Sequence, residues 1–179
     1  MKNLSAKIKQ SFFINRKLLM LLLLAGSWGC KDNNPGKSHP PELWYIGHKT
    51  IKGEIADSLL IINLGYKDDD GDIGLNPYDT FPPYNLGSPY QYNLNVTFFE
   101  WKDGKEEIIA VDPSNPNHQR IPDLRPTGRN KRIEGTIEIS FPVGPNALYQ
   151  DTIKGYFKLT DRNLMSSAEI SSDLIYLDQ

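Results

Sequence analysis

Arg132-Ile133-Glu134-Gly135-Thr136-Ile137-Glu138-Ile139-Ser140-Phe141 is the stretch that decides the fold. In an extended backbone Ile133, Ile137, Ile139 and Phe141 fall on one side, and Arg132, Glu134, Thr136, Glu138 and Ser140 on the other. A period of two with one apolar and one polar side describes a strand that is buried on one face and wet on the other, as in antiparallel sheets. The pattern repeats outward in both directions. Tyr90, Tyr92, Leu94, Val96 and Phe98 alternate with polar residues, and Lys102-Asp103-Gly104-Lys105 supplies an Asp-Gly hairpin turn into a strand over 107–111. Ile153, Gly155, Phe157 and Leu159 alternate with Lys154, Tyr156, Lys158 and Thr160, while Leu60, Ile62, Leu64 and Tyr66 share a face in 58–66. Segments 43–47 and 173–178 complete the set. No helical period of ten or more residues follows Cys30, and 14 Gly with 13 Pro disfavour a helical bundle. About seven strands predict an all-β fold, an immunoglobulin-like antiparallel β-sandwich over 42–179, with a jelly roll or small barrel as the alternative.

Two connections, 67–89 and 112–131, exceed the length of ordinary turns, so function is to be sought there first. The first opens with Lys67-Asp68-Asp69-Asp70-Gly71-Asp72-Ile73-Gly74. Asp68, Asp70 and Asp72 alternate around Gly71, so a tight turn converges three carboxylates on one point. Hard cations such as Ca²⁺ take six to eight oxygens, which makes calcium the predicted cofactor. Ile73 is expected to anchor the loop in the core with its carbonyl toward the ion. The spacing is not that of an EF-hand, because Tyr66 and Pro77 occupy that loop's first and last ligand positions. In an immunoglobulin-like order the connections after the second and sixth strands share one end. Asp161 is therefore a fourth candidate ligand, and Arg162 a rival that could pair with a carboxylate and replace the cation. A solvated acidic turn is the plainer reading.

The N-terminus reads as an address. Residues 1–29 carry five basic and no acidic residues, with the apolar run Leu18-Leu19-Met20-Leu21-Leu22-Leu23-Leu24-Ala25. Eight helical residues cover about 12 Å, too short to span a bilayer but right for a signal-peptide core. Gly29-Cys30 follows, and Cys30 is the single cysteine. Its place after the apolar run and a glycine predicts signal cleavage, acylation of Cys30 by palmitate-type chains and membrane attachment through them. Residues 30–41 hold no hydrophobe after the cysteine and read as a flexible tether. Of the whole chain's 20 Lys+Arg and 22 Asp+Glu, removing the five basic residues of the signal leaves 15 against 22, a formal charge of −7. That balance argues against nucleic acid as a partner, and a lone cysteine excludes a disulfide framework or Cys-cluster zinc site.

The polar stretch Lys31-Asp32-Asn33-Asn34 after the cysteine is similar to that of lipoproteins of Bacteroidota-type bacteria. The combination of Asp70-Gly71-Asp72-Ile73-Gly74 after a hydrophobic strand with Asp161-Arg162-Asn163-Leu164 before the last strand resembles uncharacterised cell-surface lipoproteins of that group. The resemblance implies one immunoglobulin-like domain, attached to the outer membrane and displayed on the cell surface, and brings no activity with it. A periplasm-facing anchor is the alternative.

Tyr78, Phe81 and Tyr84 lie in a Pro-rich stretch, 76–92, where exposed rings could stack on sugars; otherwise they pack over the end of the sandwich. Arg120, Arg125, Arg129, Lys131 and Arg132 form a local basic cluster, either for an acidic partner or balancing nearby acids. His39, His48 and His118 stand alone, and no nucleophile motif is present, so no catalytic residue is assigned. The sequence thus predicts a membrane-anchored, non-catalytic binding module with a protein or glycan partner. The alternative is a carbohydrate-binding accessory protein or weak glycan hydrolase.

Overall fold

The structure is a computed structural model describing residues 38–110, 117–145 and 147–178. Residues 1–29, expected to be a signal, Cys30 and most of the expected tether lie outside the described residues. Eight strands are present: β1 (Glu42–Lys52), β2 (Asp57–Asp68), β3 (Leu94–Lys102), β4 (Lys105–Ile108), β5 (Ile133–Pro142), β6 (Thr152–Leu159), β7 (Ile170–Ser171) and β8 (Ile175–Tyr176). One sheet has the order β1-β2-β5 and the other β4-β3-β6-β7, with β8 also on β6; every pairing is antiparallel. The sheets are separate, so the fold is an open immunoglobulin-like sandwich and not a closed barrel.

Alternation does what the sequence predicts. Ile137, Ile139 and Phe141 of β5 are buried beside Leu60, Ile62 and Leu64 of β2. From the other sheet they meet Leu94, Val96 and Phe98 of β3 and Ile153, Phe157 and Leu159 of β6. Phe98 sits at the centre, edge-on to Phe141 at 5.0 Å and to Phe157 at 6.4 Å between ring centroids, the arrangement aromatic quadrupoles favour. The Asp103-Gly104 turn has positive φ at both residues, 51° and 75°, which matches the twist of the flanking strands.

Four boundaries differ from the sequence reading; β1, expected over 43–47, runs on to Lys52 as the partner of β2. β3 begins at Leu94 and not Tyr90, because the backbone before it bonds elsewhere: Arg120 Nη1 donates to Gln91 O. β4 starts at Lys105, directly after the turn, and ends at Ile108. The last strand is broken in two. Between β7 and β8, Gly155 N–H donates to the Ser172 hydroxyl at 2.9 Å and Ser172 N–H to Gly155 O at 2.8 Å. A side-chain oxygen there replaces a ladder carbonyl, and the register slips by one residue.

The register also sorts the connections. Glu42 faces Lys67 and Asp68 faces Ile133, so the entry to β1, segment 69–93, segment 119–132 and segment 160–166 share one end. The opposite end holds the β1–β2 hairpin and the C-terminal residues. There Lys52 Nζ bridges Asp57 at 3.1 Å and Asp178 at 2.6 Å.

Candidate metal centre

The acidic loop leaves β2 at Asp68 and turns back at once. Gly71 has φ 66° and Gly74 φ 104°. A Cβ on the first would overlap the Lys131 carbonyl and on the second the Pro122 carbonyl. Only glycine allows this path, and it lets the loop pack on the second long connection. Leu75 N–H donates to Ile121 O and Leu124 N–H to Ile73 O, so the two long connections form one structure. Ile73 is fully buried, as anchor residues are. Its carbonyl, expected to face an ion, instead accepts the Leu124 N–H at 3.0 Å.

Within this frame Asp68, Asp70 and Asp72 each bring a carboxylate oxygen to within 4.8 Å of the other two, and the triad could hold a metal ion. Asp69, between them, points outward toward Lys67 at 4.0 Å and Arg132 at 3.7 Å. Asp72 N–H donates to Asp68 Oδ2 at 2.8 Å, which closes the turn. Asp161 reaches the same region from the segment after β6; its Oδ1 accepts the Met165 N–H at 2.8 Å, and Arg162 N–H donates to Asp72 O at 3.2 Å. Asp161 lies outside the 4.8 Å group, but its charge acts on Asp72.

One oxygen of each of these four residues is buried and accepts no hydrogen bond: Asp68 Oδ1, Asp70 Oδ1, Asp72 Oδ1 and Asp161 Oδ2. Asp68 is 1% exposed and Asp161 2%. Such atoms are costly unless something positive faces them. Asp57, the other buried carboxylate with an unbonded oxygen among the described residues, has Lys52 beside it. Among the described residues the four at the loop end make no ion pair, the Arg162 charge lowering Asp72 only as a lesser influence, and their acidities respond. Burial, then the neighbouring Asp70, holds the Asp68 carboxyl well above the usual carboxylate range. Burial, then the charges of Asp161 and Asp70, raises Asp72 to about 6. Burial also raises Asp161, with Asp70 adding to it.

Arg162, the rival to a cation in the sequence reading, pairs elsewhere. Its guanidinium forks onto Asp79, with Nη1 to Oδ2 at 2.6 Å and Nη2 to Oδ1 at 3.2 Å, and Nη1 also donates to Gly74 O. The hydrogen bonds from Arg162 hold Asp79 down at about 2. Tyr84 lays its ring against the Arg162 guanidinium at 5.5 Å and donates its hydroxyl to Arg162 O at 2.6 Å. Of the three candidate ligand-binding rings, Tyr84 is thus a structural tie, while Tyr78 and Phe81 stand in solvent, 86% and 77% exposed.

Sequence reasoning missed two residues that build this end, Asp79 and Asn93, and the role of a third, Arg120, which it placed only in a basic cluster. Arg120 donates to the carbonyls of Asn76, Asp79 and Gln91 and staples the aromatic segment. Asp79 captures Arg162. Buried Asn93 accepts the Ile121 N–H at 2.6 Å and donates to Ile121 O, standing in for a strand partner. The histidines are engaged locally: His48 Nδ1 bonds the Tyr45 hydroxyl at 2.7 Å, and His118 Nδ1 accepts the Val96 N–H at 3.0 Å. Comparison with protein-family models, curated proteins and solved structures found no match to this chain.

Proposed function

We propose that this chain is a lipid-anchored, non-catalytic binding module whose loop end is organised by a structural calcium ion. The observation that carries the metal reading is the set of four buried carboxylate oxygens without a hydrogen bond, on Asp68, Asp70, Asp72 and Asp161. An all-oxygen, all-carboxylate donor set suits a hard cation and disfavours the zinc and copper ions that seek imidazole or thiolate. Magnesium uses one or two carboxylates and keeps several waters, so three converging carboxylates, with Asp161 close by, favour calcium. The ion's role is structural: it joins the end of β2 to the end of β6 and sets the platform from which segment 76–92 projects. The anchor reading rests on the apolar run ending at Gly29-Cys30 and on the polar tether after it.

Calorimetric titration of calcium into chelator-treated protein tests the site, with the thermal midpoint as a second readout. One site per chain is expected. At about one hundred times the dissociation constant, binding adds about 2.7 kcal/mol to stability. Asp70→Asn should weaken binding while leaving the sandwich folded. Identical midpoints in calcium and in chelator would sink the metal reading.

A further inference from the structure

The two sheets leave strand edges open at β1, β4, β5 and the β7–β8 side. An open edge is a row of unpaired N–H and C=O groups that invites another strand, and soluble proteins shorten, bulge or charge such edges. β4 has four residues, and β7 and β8 have two each. β1 is long, but its register breaks at Tyr45/Gly47 and again at Ile51/Lys52, and it carries Lys49 and Lys52. β5 differs: its ten residues pair with β2 in unbroken register from Ile133 to Pro142.

Which groups β5 leaves open follows from the ladder. Val143 N–H donates to Ser58 O at 3.0 Å, so residue 143 bonds toward β2, and in antiparallel pairing that direction alternates along the strand. Phe141, Ile139, Ile137, Gly135 and Ile133 therefore bond toward β2 as well, and the even-numbered residues point their backbone groups away from it. Both ends of that outward row are closed. Pro142 has no N–H and its carbonyl accepts the Leu148 N–H at 3.4 Å, while Arg132 N–H donates to Asn130 Oδ1 at 3.2 Å. Between them Glu134, Thr136, Glu138 and Ser140 are exposed, and their outward backbone groups have no hydrogen-bond partner among the described residues. Both carboxylates of the row have a cation of their own chain beside them. Lys49 Nζ lies 3.5 Å from Glu138 and Arg132 Nη2 3.3 Å from Glu134, with Lys67 opposite Glu134 on β2.

The open row is symmetric about Ile137, and that symmetry selects its occupant. We infer that β5 pairs antiparallel with β5 of a second copy of this chain across a two-fold axis at Ile137, joining two sheets of order β1-β2-β5 into one of six strands. Glu134 then faces Ser140 of the second copy and Thr136 faces Glu138 of the second copy, and each facing pair exchanges two N–H···O bonds. Every open N–H of the row is satisfied, and every carboxylate meets a hydroxyl. Moving the axis to Thr136 sets Glu134 against Glu138 of the second copy, and moving it to Glu138 sets that residue against itself. Like charges therefore reject both neighbouring registers. The inference is independent of the metal and anchor readings.

Spin labels on the full chain in detergent test it. Cys30→Ser removes the native thiol, and Thr136→Cys or Ser140→Cys supplies a single site for a nitroxide. From a rise of about 3.4 Å per residue and strands about 4.8 Å apart, the two Cα atoms at 136 should lie about 8 Å apart and those at 140 about 21 Å. Edge pairing is smaller than a standard interface, so both couplings should fade on dilution; adding unlabelled chain should remove them too. With the label at 140, Thr136→Lys should tighten the dimer about tenfold and Thr136→Glu loosen it by a similar factor, because two cross-strand charge contacts form per dimer. Residue 136 is exposed and bonds away from β2, so circular dichroism should show both variants folded. Labels that stay uncoupled at the highest concentration the chain tolerates overturn the inference. Couplings at other separations, or a dimer indifferent to charge at 136, overturn it as well, since the chains then join through another register or surface. A label at 136 immobilised by an added extended peptide, and never coupled to a second copy, overturns it in favour of a foreign strand.

Discussion

Stability of the chelated protein should fall as pH rises from about 4 to about 7, against the habit of acidic domains, and calcium should reverse that slope. The cause lies in Asp68, Asp72 and Asp161, whose folded carboxyls bind protons more tightly than they would in the unfolded chain. Within the window between the ordinary value of 3.8 and the raised folded values, the native state holds protons that the unfolded state has released. Raising the pH through that window therefore favours unfolding. For Asp72 alone, a rise from 3.8 to about 6 corresponds to about 3 kcal/mol lost by neutral pH, or roughly 10 °C in Tm for a domain of this size. Asp68 and Asp161 push in the same direction, but the carboxyls interact, so their effects do not add.

Bound calcium holds the same carboxylates ionised, protons become its competitors, and stability should then rise with pH over this window. The depressed carboxyls cannot produce the chelated slope. Asp79 sits at about 2, and Asp57 and Asp123 are also lowered, so what they contribute is lost only as pH falls below the ordinary carboxylate value. Thermal melts followed by far-ultraviolet circular dichroism, in chelator and in millimolar calcium, check both signs. A chelated protein that becomes more stable between about pH 4 and pH 7 would refute the placing of uncompensated carboxylates at this end.

Other perturbations address the frame around the site. Gly71→Ala places a Cβ at φ 66° against the Lys131 carbonyl; it should cost more than the roughly 1–2 kcal/mol of a left-handed backbone alone, read by urea denaturation, and weaken calcium binding. Arg162→Met removes the fork to Asp79 and the Tyr84 contact. A loss of about 2 kcal/mol is expected, with faster hydrogen exchange confined to 76–92 and 160–166. Phe98→Ala empties the centre of the core and should cost about 3–5 kcal/mol.

The fold was legible because burial on one face writes itself into every second residue, and β2, β3, β5 and β6 carry that pattern. What the pattern does not carry is where a ladder gives way to a side chain. Tyr90 and Tyr92 continue the alternation of β3, but Arg120 takes the Gln91 carbonyl and Asn93 pairs with Ile121. Ser172 breaks the last strand by offering its own oxygen. Each of these interruptions depends on a partner 17 to 29 residues away, and local periodicity holds no record of such a partner.

The acidic site was legible to a point that physical reasoning can define. Alternation around Gly71 is a local property, so the convergence of Asp68, Asp70 and Asp72 could be read from spacing. Whether Arg162 neutralises them is a competition among carboxylates, and the winner, Asp79, stands 83 residues before the arginine. Asp79 wins on geometry. It offers both oxygens to a planar guanidinium that also reaches Gly74 O and lies against Tyr84, so several contacts would break together if the arginine turned away. Turning toward Asp72 would satisfy one acid of the cluster and strand Asp79, itself only about one fifth exposed. One arginine therefore cannot serve both groups. Arg162 instead fixes the aromatic segment and makes no ion pair with the four carboxylates, and it is on this ground that we propose a divalent cation for them.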